Sequence, residues 1–397
     1  MRWWVSANRL SLTQRAILDG MTDKLDESHW VKGFAGTGKT VVLAHLIERI
    51  ISLNSAQSNT NRYCFITFTH ALVDLVRSGL YGDHVLQNLE IMTHTKFLGL
   101  GRRYSHVFLD EVQDISVADL ERISNLADNL YVAGDPDQRI YQNRASDEDI
   151  SGILAPHEHH LVEIFRLTEP LRRVALSILP GATIVNGLRA SSSAASSIRC
   201  VGAVDDATEV EWVYREALKR ARAGDPSVIL FPMHKNVERF ASILAEILEV
   251  ESPASVSFDR GRPDYEPFND HWEKLDIPFR YQGNSFGSLP ESDTSPIIYA
   301  MTFHSSKGLD FKNVFIPGMN RGAKIVSRSL LDEVPDHDRR LLFVAATRAR
   351  EGLFFTYSSV DAHPFVVDIK ALDCVVAARV DQSDLKFDTE PDGGDFF

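Results

Sequence analysis

The chain has 397 residues, of which 44% are hydrophobic and 24% charged, with a net charge of −13; the length suits two or three domains and the composition an ordinary globular protein. No apolar run is long enough to span a bilayer, the opening "MRWWVSANRLSLTQ" has no signal-peptide core, and the three cysteines (Cys64, Cys200 and Cys374) stand far apart, which argues against a disulfide framework or a zinc site and fits a cytoplasmic protein. A chain this acidic is no general nucleic-acid binder, so any such binding needs a local basic groove.

In chain order, "VVLAHLIERIISL" (41–53) predicts a helix. "RYCFITFT" (62–69), "HVFLD" (106–110), "NLYVAGD" (129–135) and "HLVEIF" (160–165) predict buried strands. Few polar residues interrupt them, as in a parallel sheet covered on both faces. "RASSSAASS" (189–197) reads as a linker or surface loop. A second set of strands follows: "SVILFP" (227–232), "PIIYAMTF" (296–303), "NVFIPG" (313–318) and "LFFTYS" (353–358), with helices near 206–222, 235–250 and 337–350. The pattern predicts two α/β units.

"GFAGTGKT" (33–40) has the spacing of a phosphate-binding loop. Gly33, Gly36 and Gly38 let backbone N–H groups, with that of Thr37, curl around phosphate oxygens. Lys39 would reach the β- and γ-phosphates, and the Thr40 hydroxyl would ligate Mg²⁺. Such sites need a second Mg²⁺ ligand at a neighbouring strand end, and Asp110 in "FLDEVQD" is the candidate; Glu111 can then deprotonate the attacking water. Gln113 and Asp114 read either as interface residues coupling hydrolysis to domain closure or as caps of the next helix.

With "GDPDQRIY" (134–141) the chain resembles the UvrD/Rep-like family of superfamily 1 helicases, and the motifs stand in family order from about residue 10 to 370. The resemblance implies two RecA-like P-loop domains, 1–170 and 171–372, with ATP between them. It makes Gln14 an adenine reader, Phe165 ("IFRL", 164–167) an adenine stacker and Arg166 a γ-phosphate ligand. Gln138 would couple the γ-phosphate to the nucleic-acid site. Asp310 ("MTFHSSKGLDF", 301–311) would stand at the ribose, and Arg348 ("RRLLFVAATRAR", 339–350) would be the arginine finger. Phe68 ("ITFTHA"), Thr93 and His94 ("THTKF"), Tyr141, His304 and Lys307 would touch single-stranded nucleic acid, DNA before RNA.

Four departures stand against the family pattern. Only 15 positions separate Thr95 from Asp110, where relatives insert a subdomain. Arg166 and Thr302 are 136 apart, too few for the large mobile subdomain as well as a second core, so 251–274 is expected to be a loop. Asn143 in "IYQNR" replaces a tryptophan that stacks on a base. Val41 and Asp310 replace an arginine and a glutamate near the nucleoside. "HEHH" (157–160) reads as surface histidines, and the tail 373–397, with six acids against one lysine from Asp381 on, as disordered. The expected activity is a Mg²⁺-dependent ATPase moving on single-stranded DNA. The alternative is a regulatory ATPase that senses DNA and activates a partner such as a nuclease, with poor unwinding of its own.

Overall fold

A strand of five consecutive buried residues, Tyr63–Thr67, sets the architecture of the first unit. Such a run has no polar face, so both faces must be covered. The computed structural model describes residues 5–54, 61–68, 72–73, 76–77, 89–135, 138–141, 144–165, 167–186, 188–189, 196–225, 227–259, 262–283, 296–326 and 336–385. The first sheet runs Leu89–Thr93, Tyr63–Thr67, Tyr104–Leu109, Ala127–Gly134, His29–Gly33, His157–Leu161, with every neighbouring pair parallel. Helices Leu12–Thr22 and Lys39–Asn54 cover one face, packing Leu18, Met21, Val42 and Leu46 onto Phe65, Phe108 and Tyr131. Phe97, Leu120, Ile123 and Ile150 cover the other, against Cys64, Ile66, Val107 and Leu109.

The second sheet has seven parallel strands, in the order Phe279–Tyr281, Ile298–Thr302, Ser227–Phe231, Phe311–Ile316, Ala349–Tyr357, Ser197–Ala203, Val376–Val380. Helices Asp206–Arg222 and His234–Ile247 pack one face through Val213, Ala217, Phe240 and Leu244. Helices Glu169–Ile178 and His337–Ala346 pack the other through Leu171, Val174, Leu341 and Val344. That last core also takes in Ala35, Leu72, Ile140 and Ile164, so apolar packing runs from one unit into the other.

Four expectations are corrected. Residues 251–274 are not a loop: they carry the hairpin Ser257–Asp259 with Arg262–Asp264 and the helix Glu266–Lys274, which buries Phe268 and Trp272 one turn apart. Within the expected tail, residues 373–385 are not disordered, because Val376–Val380 adds an edge strand beside Ser197–Ala203 and the Leu385 carbonyl accepts a hydrogen bond from Arg215; residues 386–397 lie outside the described residues. The single strand expected over 160–165 is two, His157–Leu161 and Glu163–Ile164. The helix expected over 337–350 stops at Ala346, and the next strand, Ala349–Tyr357, starts three residues later. No described helix is long and apolar enough to cross a membrane.

Candidate nucleotide site and nucleic-acid groove

The phosphate loop leaves the strand His29–Gly33 and enters the helix Lys39–Asn54. Gly36 and Gly38 take φ of 79° and 84°, the left-handed region in which a Cβ is strained. At Gly38 a Cβ would also come within 2.6 Å of Gln14 Nε2. Lys39 Nζ donates to the loop's own carbonyls, Gly33 O at 2.9 Å and Phe34 O at 3.1 Å, so the ammonium is held inside the curve. Helix dipole and loop N–H groups favour an anion there.

Thr40 Oγ1 donates to Asp110 Oδ2 at 2.5 Å, bringing together the hydroxyl and carboxylate expected to hold Mg²⁺. Both are hard oxygen donors of the kind that ion takes. Glu111 follows with a left-handed backbone, φ 59°. Gln113 Nε2 donates to Glu111 Oε2, and Gln113 Oε1 accepts from Asp135 N at 3.2 Å. Burial and the adjacent Glu111 push the Asp110 carboxyl up; Lys307 and Lys39 hold Glu111 below its ordinary value against its own burial. Glu111 is therefore kept as an anion, the form a general base requires.

Two buried contacts join the units at this point. Lys307 Nζ lies 2.7 Å from the Asp114 carboxylate and also donates to the Gln138 carbonyl. Arg348 Nη2 donates to Gln138 Oε1 at 2.7 Å, while Gln138 Nε2 donates to Asp135 Oδ2 at 2.7 Å. The following helix, Val117–Asn125, is capped by Ser116, so neither Gln113 nor Asp114 serves as its cap. Lys307, expected on a strand, has its ammonium committed to the interface and is 1% exposed.

Around the loop, the Phe165 N–H bonds Gly36 O at 3.0 Å and its ring is 41% exposed, as a stacking surface must be. Gln14 Nε2 donates to Thr37 O at 3.0 Å, and its Oε1 accepts from Ser11 N at 3.0 Å, so this residue caps its helix and grips the loop together. Asp310 accepts from Arg350 at 2.5 Å, which turns its carboxylate toward a cation of its own unit. Arg166 and Asn143 lie outside the described residues.

The other expected residues form a row of rings. His94 stacks on Phe68 (5.0 Å, 8°), Phe68 meets Tyr141 at 4.7 Å, and Tyr141 meets His304 at 5.7 Å. Arg144 lies over both Phe68 and Tyr141, at 5.7 and 5.5 Å. Burial and the neighbouring His337, Lys307 and His234 push His304 down to about 4, so its ring is neutral at neutral pH. Thr93 caps the helix His94–Leu100 through the Lys96 N–H. The row links the carboxyl ends of the two sheets, where ligands of open α/β sheets bind. Sequence reasoning passed over Asp135, which orients Gln138, and Arg144, whose signal was its place three residues beyond Tyr141. In "HEHH", His159 Nε2 lies 3.0 Å from His29 Nδ1, and no metal-ligand group occurs among the described residues.

Residues 81–156 match the UvrD/REP helicase N-terminal domain and residues 234–360 the UvrD-like helicase C-terminal domain. The ATP-dependent DNA helicase Rep of Buchnera aphidicola subsp. Schizaphis graminum is 50% identical over 60 residues, 15% of this chain and 9% of the relative. The ATP-dependent DNA helicase PcrA of Staphylococcus aureus is 36% identical over 100 residues, 24% of this chain and 14% of the relative. The aligned part is thus well under two thirds of either relative. Among solved structures, the DEAD-box helicase Mss116 bound to ssRNA and UDP-BeF superposes with a TM-score of 0.50 at 15% identity, covering 95% of this chain and 76% of that one; this supports the two-sheet fold alone.

Proposed function

Because the chain belongs to the UvrD/Rep-like helicases, we propose that it is a Mg²⁺-dependent ATPase driven by single-stranded DNA. The observation that supports the reading is the hydrogen bond from Arg348 to Gln138, which brings a cation of the second unit onto the glutamine expected to couple the γ-phosphate to the nucleic-acid site. Lys39 and Thr40 would bind the β- and γ-phosphates and Mg²⁺, with Asp110 as the second metal ligand. Mg²⁺ would neutralise charge on the transferred phosphoryl group. Glu111 would take the proton of the attacking water, and Arg348 would stabilise the charge that develops on the γ-oxygens. Gln138 touches Arg348 with its side chain and Lys307 with its carbonyl, so it is suited to report strand occupancy to the nucleotide.

A regulatory ATPase partnered with a nuclease is the second reading. It is favoured by the small insertion between the strands Ser227–Phe231 and Ile298–Thr302, which holds one described hairpin and one short helix beyond the core helix. Purified chain assayed for ATP hydrolysis with Mg²⁺, with and without oligonucleotide, tests the first reading. Hydrolysis should need Mg²⁺ and rise with single strands. Absence of turnover with every strand, duplex and end would overturn it. Strand-stimulated turnover without separation of a tailed duplex would favour the second reading.

A further inference from the structure

We infer that Gln14 is a positioning residue of the phosphate loop rather than a reader of the base, and that the site therefore takes ATP and GTP alike. The inference rests on the proposed ATPase reading and departs from the role that the family resemblance assigns to this glutamine.

A loop whose N–H groups turn inward to phosphates turns carbonyls outward. Inside a protein those carbonyls need donors. Here three residues supply them. Lys39 Nζ bonds Gly33 O and Phe34 O, the Phe165 N–H bonds Gly36 O at 3.0 Å, and Gln14 Nε2 bonds Thr37 O at 3.0 Å. Gln14 thus holds the outer side of the curl. Its amide is pressed against the loop backbone, since a Cβ on Gly38 would come within 2.6 Å of Nε2, and the residue is 5% exposed.

The other end of the amide is bound as well. Oε1 accepts the Ser11 N–H at 3.0 Å, one half of the capping box that opens the helix Leu12–Thr22. An amide singles out adenine by using both ends at once, donating to N7 and accepting from the N6 amino group. Turning both ends of Gln14 to a base would strand the Thr37 carbonyl and the Ser11 N–H, which offsets the gain. What the loop presents to a base is the ring of Phe165, 41% exposed and tied through its N–H to Gly36. Stacking tolerates any base, because every base has a π-face. Adenine and guanine offer such a ring faces of the same size.

The test uses the full chain with Mg²⁺ and a saturating single strand, and compares kcat and KM for ATP and GTP. An amide that read the base would separate the two by roughly 5- to 150-fold. The wild type should instead use them within about fivefold of each other; a larger preference for ATP would overturn the inference. Gln14→Met keeps the length of the side chain and removes the donor to Thr37 O. It should raise KM for ATP and GTP by one common factor, roughly 5- to 150-fold for a buried carbonyl left without its donor, with kcat changed far less. A rise confined to ATP would make Gln14 a base reader after all. A fall in kcat with KM unchanged would reduce it to a helix cap, since loss of folded protein lowers the active fraction and leaves KM alone. Hydrolysis of ATP but not GTP by the wild type would overturn this inference and leave the ATPase reading standing, whereas hydrolysis of neither would overturn both.

Discussion

Arg348 and Gln138 meet across the two sheets: the guanidinium donates to the amide oxygen at 2.7 Å, and both side chains are buried. Arg348 is anchored from behind by Val344 O at 2.9 Å and Leu309 O at 3.1 Å, so its aim does not depend on the glutamine alone. Arg348→Ala should lower kcat by on the order of 10³-fold or more, as loss of an arginine finger does. Nucleotide affinity should change far less. Steady-state ATPase kinetics with a nucleotide-binding titration check this; a fall under tenfold would remove Arg348 from the finger's place.

Glu111→Gln keeps the shape of the side chain and removes the proton acceptor. Binding of ATP should persist, and hydrolysis should drop by about 10²- to 10⁴-fold. Lys307 and Lys39 lose a carboxylate partner in the same change, so the variant should bind the nucleotide at least as tightly as the wild type. Turnover near the wild-type rate would mean that another group takes the proton.

Lys307 and Asp114 are buried together, with Asp114 fully enclosed. Removing one partner strands the other charge, at a cost of about 3–5 kcal/mol. Lys307→Met should therefore lower the unfolding midpoint clearly. The double variant Lys307→Met with Asp114→Leu should recover much of the loss, since it removes both charges. Chemical denaturation of the wild type, Lys307→Met, Asp114→Leu and the double variant decides the matter; additive losses in the double variant would show that the two residues do not act as a pair.

Much of the candidate nucleotide site was legible in the sequence because its spacing is dictated by local backbone geometry. A loop must curl around a phosphate within eight residues, and a carboxylate pair must follow a strand directly. What was not legible depends on tertiary choices. Phe268 and Trp272 lie one turn apart on a helix, but the polar stretch before it hides so short an element. Val376–Val380 is mostly exposed, so it has no alternating or buried pattern to read, and it is ordered by its ladder with Ser197–Ala203. Lys307 falls in a motif associated with the strand, yet its ammonium is drawn to Asp114, 193 positions earlier.

His29 and His159 share a hydrogen bond of 3.0 Å between Nδ1 and Nε2, and His29 Nε2 bonds the Lys24 carbonyl at 2.8 Å. That carbonyl can only accept, so His29 carries its proton on Nε2 and His159 donates to Nδ1. Burial holds His29 below its ordinary value, and burial with the neighbouring imidazoles pushes His159 down to about 4. Between that value and about 6.5 the unfolded chain binds protons that the folded chain refuses. Stability should thus be full above pH 6.5 and fall as the pH drops toward 4. The slope is at most about 1.4 kcal/mol per pH unit for each histidine, and less for half-exposed His159. His159→Phe should flatten the melting-temperature profile over this window; an unchanged slope would assign acid sensitivity elsewhere.

Phe68 and Tyr141 lie 4.7 Å apart, each under Arg144, so the two proposed base platforms are one cluster before any strand arrives. Tyr141→Ala or Phe68→Ala should each weaken single-strand binding, by roughly 5- to 150-fold for a lost stack of about 1–3 kcal/mol. The double variant should lose less than the sum. Residues in contact couple by about 0.5–3 kcal/mol, and the ring left behind by either single change has already lost its neighbour. The net charge of −13 gives little general attraction to mask these losses. Anisotropy titrations of the four proteins at about 0.1 M salt complete the cycle. Full additivity would show that the rings serve separate bases; no loss in either single variant would remove the row from the path of the strand.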